Sequence, residues 1–136
     1  MWRKINYLFP IFEGNANEIS TLTLAHLGDA VFELMARTSV CLKGNVSAKR
    51  LHSKTVSIVS ATAQAKAALR VVESLDREET AVFKRGRNAH VNSIPRASSI
   101  GEYHTATGIE ALFGYLYVKG RHERLNELFK IVLEDD

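Results

Sequence analysis

Gly108-Ile109-Glu110-Ala111-Leu112-Phe113-Gly114-Tyr115-Leu116-Tyr117-Val118 is the stretch whose reading decides how this chain folds. Ten of its eleven residues are apolar, glycine or tyrosine. A helix with apolar residues around its whole circumference is covered by neighbours on most sides. The segment is therefore predicted to be the central helix of a helical domain. Its one charged residue, Glu110, is out of place. A carboxylate in such surroundings costs several kcal/mol unless it is paired, protonated or bound to a metal. A buried salt bridge to an arginine satisfies the same pattern, so the helix alone leaves the choice open. Thr107, Glu110, Ala111 and Gly114 fall on one face, where the small residues admit another backbone.

A second segment offers the matching half. Leu22 to Leu34 is mostly apolar and contains Gly28 beside Asp29. Glycine inside a helix costs about 1 kcal/mol relative to alanine, and it is tolerated where something must come close. An acid beside small residues on two helices predicts that the helices cross there, with Asp29 and Glu110 facing one point. Two carboxylates with no evident cation between them suit a hard divalent ion such as Mg²⁺. His26, Asp29, Glu33 and Arg37 also share one stripe. That stripe reads equally well as a solvated face with Glu33 and Arg37 paired. No zinc motif, phosphate-cradling glycine loop or nucleophile elbow occurs.

The rest of the chain reads as helices too. Strand-like alternation is absent, and the apolar spacing is helical almost throughout. Helices are predicted over about 20–42, 47–56 (capped by Ser47), 60–73 (capped by Ser60), 76–88, 104–119 and 123–133. Asp76 with Glu79 forms a capping-box pattern, and Gly120 ends the fifth helix. A polar connection of about 15 residues is expected from Asn88 to Glu102. Long connections of this kind are usually functional or mobile. The 136 residues predict one all-α domain of about six helices over 1–136. Residues 1–17 read as an N-terminal extension without the features of a signal peptide. No run reaches 18 apolar residues, so no membrane partner is expected. The lone Cys41 allows no internal disulfide and fits a cytoplasmic setting.

Net charge is only +3, but it is segregated. Residues 43–96 carry a net +7 and the remainder −4, and no acid occurs between Thr80 and Gly101. This is the electrostatic footprint of a polyanion binder. It also reads as a solvated face balancing acids elsewhere. Lys84, Arg85, Arg87, Asn88 and Arg96 are the candidate contacts, with Lys54 a weaker one.

These residues resemble a known family. Leu27-Gly28-Asp29-Ala30-Val31-Phe32-Glu33 resembles the signature helix of the ribonuclease III fold, and Gly108 to Leu116 its second catalytic helix. Leu51 to Lys54, Ile58 to Ala61, and Lys84 to Ala89 are similar to the same domain. The match spans roughly 18–133. At 136 residues there is no room for a double-stranded-RNA-binding domain, so the chain resembles the Mini-III branch. Two departures from the wider pattern, Ala25 and Thr107 at positions usually acidic, agree with that branch.

The resemblance implies a Mg²⁺-dependent endoribonuclease, with Mn²⁺ able to substitute. Its substrate would be double-stranded RNA, such as precursor of large-subunit ribosomal RNA, cut to 5′-phosphate and 3′-hydroxyl ends. Asp29 and Glu110 would be the catalytic, metal-holding pair, with Glu33 and Thr107 as possible support. A homodimer is implied as well. It is also expected because a small monomer would struggle to bury Ile109, Leu112, Phe113, Leu116 and Tyr117 together. Other readings are a catalytically inactive ribonuclease III-fold module bound to RNA or ribosome, a helical hydrolase of nucleotides, and an interaction domain with a buried Glu110–Arg pair.

Overall fold

Two pairs of glycines determine how the helices meet. The structure, a computed structural model, describes residues 5–89 and 99–134. Its helices are α1 (Thr21–Cys41), α2 (Ala48–Val59), α3 (Ala61–Val71), α4 (Arg77–Arg87), α5 (Ile100–Val118) and α6 (His122–Leu133). Short 3₁₀ turns lie at Ala16–Glu18 and Val72–Ser74, and the described residues include no strand. The all-α prediction holds.

The caps explain most helix starts. Ser20, Ser47 and Ser60 each accept a backbone N–H three residues on. Asp76 and Glu79 form the expected capping box. Ser60 ends α2 as well as opening α3, so the two helices meet at a one-residue corner. Two boundaries differ from expectation, and one is the end of α2, which runs three residues past the predicted 56 to Val59. α5 begins at Ile100, four residues before the predicted start, because Ser99 and Glu102 form a second capping box. The S-x-x-E signature was present in the sequence. Gly120, at φ +71, turns the chain out of α5 in a left-handed conformation that suits glycine.

α5 is the axis of the fold and touches α1, α3, α4 and α6. Ile109, Leu112, Phe113 and Leu116 are no more than 1% exposed within this one chain. The expectation that a small monomer would struggle to bury these residues together is therefore not met for these four. Four neighbouring helices already enclose α5, and only Tyr117 of the five residues stays partly open. The Tyr117 hydroxyl donates to the carbonyls of Tyr7 and Leu8, at 2.9 and 3.0 Å. Phe32, Phe113 and Phe129 stack α1, α5 and α6 together, with ring centroids 5.2–6.4 Å apart.

The closest approach is between α1 and α5. A Cβ at Gly28 would lie 1.6 Å from the carbonyl oxygen of Glu110. One at Gly114 would lie 2.0 Å from the carbonyl oxygen of Leu24. The two backbones touch, as the small residues predict. α4 meets α5 in the same way: a Cβ at Gly86 would lie 2.8 Å from the Cα of Gly108.

Gly28→Ala and Gly114→Ala are expected to destabilise the fold by about 3 kcal/mol or more, at the upper end of overpacking costs, because backbone must move. Gly101→Ala, also in α5 but with nothing within 4 Å of its Cβ, is expected to stabilise by up to about 1 kcal/mol through helix propensity. Thermal melts of the three variants check this.

Candidate active site

The α1–α5 contact places the two odd acids. Asp29 follows Gly28 directly, and the oxygen pressed against Gly28 belongs to Glu110 itself. Once the backbones touch there, the two side chains have one place to meet. Asp29 is exposed and Glu110 is mostly buried, so the pair sits at the edge of the core, open on one side.

Among the described residues no cation lies beside Glu110. Its partners are Asp29 and Gln64, whose Nε2 lies 3.4 Å from Oε2. Burial pushes its carboxyl up, and the negative charge of Asp29 pushes it further. The Gln64 hydrogen bond opposes this, but the proton shared with Asp29 adds to it, and the result is about 8. Among the described residues the expected alternative, an internal Glu110–Arg salt bridge, does not occur.

The salt bridge of that kind belongs to another glutamate. Glu79 is 0% exposed. Arg124 reaches it with two donors, each at 2.8 Å, and also donates to the carbonyl of Ser74. Burial pushes Glu79 up, but the Arg124 guanidinium and the backbone N–H of Asp76 outweigh it and hold it below its ordinary value. Among the described residues one buried carboxylate is thus matched by a cation and the other is not. A buried acid without an opposite charge, beside a second acid, is the pattern of a candidate functional site.

The oxygens of Asp29 and Glu110 are a donor set for a hard divalent cation, which suits carboxylates and retains several waters. Among the described residues no group of three His, Cys, Asp or Glu could hold a metal. Glu33, one turn along α1, is engaged by Arg37 at 2.8 Å. The buried Thr107 donates its hydroxyl to the carbonyl of Tyr103, inside its own helix. Lys84, Arg85, Arg87 and Asn88 are exposed at the end of α4, and Lys54 is exposed on α2. Arg87 lies over the Phe83 ring. Arg96 lies outside the described residues. Gly86, between Arg85 and Arg87, packs on Gly108, two residues from Glu110. The basic turn is therefore held in a fixed relation to the acidic pair.

Gln64 did not stand out in the sequence. The signal was there: it occupies the stripe of α3 otherwise filled by Ala67, Ala68 and Val71.

The helical arrangement fits the ribonuclease III resemblance of the sequence. Residues 22–121 match the Ribonuclease III domain family. The Mini-ribonuclease 3 of Thermoanaerobacter sp. strain X514 is 40% identical over 116 residues, covering 85% of this chain and 82% of that protein. That of Clostridium tetani is 40% identical over 117 residues, covering 85% and 78%. A crystal structure of a protein from Fusobacterium nucleatum superposes with a TM-score of 0.79 at 30% identity, covering 85% of this chain and 93% of that one. The chain belongs to the ribonuclease III family, in its Mini-ribonuclease 3 branch, and is an endoribonuclease.

The Glu110 environment gives a pH signature in the metal-free protein. Its folded value, about 8, lies above the ordinary 4.5. The folded state therefore holds the proton longer, and stability falls as pH rises from about 4.5 through 8. Glu110→Gln removes this loss. The variant is expected to match wild type near pH 5 and to exceed it by a few kcal/mol, in order of magnitude, above pH 8. Melting curves across that range with a chelator present check it.

Proposed function

We propose that the protein cleaves double-stranded RNA with Mg²⁺, or Mn²⁺ in its place, and that Asp29 and Glu110 are its catalytic, metal-holding pair. The observation that carries this is the uncompensated Glu110 carboxyl facing Asp29. Asp29 and Glu110 would hold the Mg²⁺, which when bound would supply acidity to a water nucleophile and positive charge to the attacked phosphate. Asp29 and Glu110 provide negative charge at one fixed point. The buried side of Glu110 excludes water from behind it, and the exposed Asp29 keeps the approach to RNA open. No protein nucleophile is required.

The basic turn of α4 is the proposed duplex contact. A-form RNA has a major groove too narrow for side chains, so a protein holds it by phosphate and 2′-hydroxyl contacts. Lys84, Arg85, Arg87 and Asn88 supply such donors, with Lys54 and Arg96 as further candidates. The same charges complement the C-terminal end of the α4 dipole. That favours the helix but does not use up their exposed donors. The proposed substrate is precursor of large-subunit ribosomal RNA, in the cytoplasm.

A homodimer is part of this reading. A two-fold assembly presents one acidic pair to each antiparallel strand. Its support is this strand symmetry and the exposed Leu69, Val72 and Ile100, of which Leu69 and Val72 line a groove between α3 and α5. The burial of α5 gives it none.

Wild type with Mg²⁺ is expected to cut both strands of a structured precursor RNA, and a chelator to stop it. Glu110→Gln and Asp29→Asn should fold and bind duplex yet lose at least about a thousandfold in rate, as when an essential catalytic group is removed. Wild type re-assembled with excess Asp29→Asn is expected to nick duplexes. Double-strand cutting in one encounter by such mixtures would argue against the dimer. Replacing Lys84, Arg85 and Arg87 together by Ala is expected to weaken duplex binding and flatten the plot of log affinity against log salt by roughly 2–3, one unit per lost phosphate contact. Filter binding over a salt series measures this.

A further inference from the structure

Gln64 occupies a place where an amide is not needed for packing. It lies on the buried stripe of α3 with Ala67, Ala68 and Val71, and is 3% exposed. Its Oε1 is shut from solvent and has no hydrogen-bond partner among the described residues. A buried acceptor left unpaired is unfavourable, so an apolar side chain would serve the core better. The amide must be present for what its nitrogen does.

That nitrogen has two hydrogens and two acceptors. One acceptor is the carbonyl of Val59, at 3.0 Å; the other is Oε2 of Glu110, at 3.4 Å. Val59 is the last residue of α2, and Ser60 caps both α2 and α3. The amide is thus tied to backbone at a rigid corner and not to a mobile side chain. Thr107, one turn before Glu110, spends its hydroxyl on Tyr103 and offers the carboxylate nothing. Gln64 is the neutral donor that Glu110 has among the described residues.

We propose that Gln64 is a positioning residue: its Nε2 fixes the Glu110 carboxyl to the α2–α3 corner, so that it faces Asp29 in the arrangement that holds the divalent ion. This rests on the reading of Asp29 and Glu110 as the metal-holding pair. The hydrogen bond supplies direction, and the Val59 carbonyl keeps the donor from turning away. Partners of this outer kind matter because an ion held by only two carboxylates depends on where each one points.

The test uses Gln64→Met, which keeps length and apolar packing but removes the donor. Its melting temperature is expected to equal or exceed that of wild type. Calorimetric titration with Mn²⁺, without RNA, is expected to show roughly tenfold to a hundredfold weaker binding. On duplex RNA, kcat is expected to fall by a similar factor while KM stays within about twofold. Wild-type Mn²⁺ affinity and kcat in the variant would overturn the proposal. Gln64→Leu carries the same test if Met does not fold. Failure of both to fold would make the amide structural and overturn it too. Failure of the underlying reading looks different: wild type itself would then neither bind Mn²⁺ nor cut duplex, and this proposal would fall with it.

Discussion

The contact between the backbones of α1 and α5 is the constraint on which the rest of the structure depends. At Gly28 and Gly114 neither helix has room for a single methyl group. Each mid-helix glycine costs about 1 kcal/mol in helix propensity, and that cost is offset by what close approach allows. Phe32 reaches Phe113 across the seam, and the enclosed α5 buries Ile109, Leu112, Phe113 and Leu116. Asp29 and Glu110 meet because they are attached to the atoms in contact. The second glycine seam, Gly86 on Gly108, docks α4 on the same helix and sets its basic turn relative to the acids.

The two glutamates show how one residue type serves opposite ends. Glu79 joins the start of α4 to α6 through Arg124, and its charge is matched by two Arg124 donors and the backbone N–H of Asp76. It is a structural ion. Glu110 is placed where burial and a like charge both oppose ionisation. Left alone, such a group weakens the fold, and natural proteins tolerate such costs where function needs them. The buried, half-satisfied amide of Gln64 beside it belongs to the same pattern: an unfavourable polar group retained at the point where Glu110 is held.

Charge is ordered along the chain for two purposes at once. In α4 acids stand in the first turn and bases in the last, which complements the helix dipole. The exposed bases then lie together on the surface, flanking the glycine that fixes them to α5. A helix that carried these bases on a mobile loop would present the same charge without a defined distance to the acids.

The helices, most of their ends and the crossing of α1 with α5 were determined by the sequence itself. Apolar periodicity, serine and aspartate caps and paired small residues act over three or four positions, so they can be read locally. Even the early start of α5 was written in Ser99 and Glu102. What required the tertiary structure was the question of partners. Nothing local says that Arg124, 45 residues away, belongs to Glu79, or that Gln64 reaches Glu110 from 46 residues away. Nor could the apolar circumference of α5 say whether a second chain covers it; four helices of this chain do. Local pattern states that a group must be covered or compensated. Only the packing of distant segments decides which residue does it, because that depends on how closely the backbones approach.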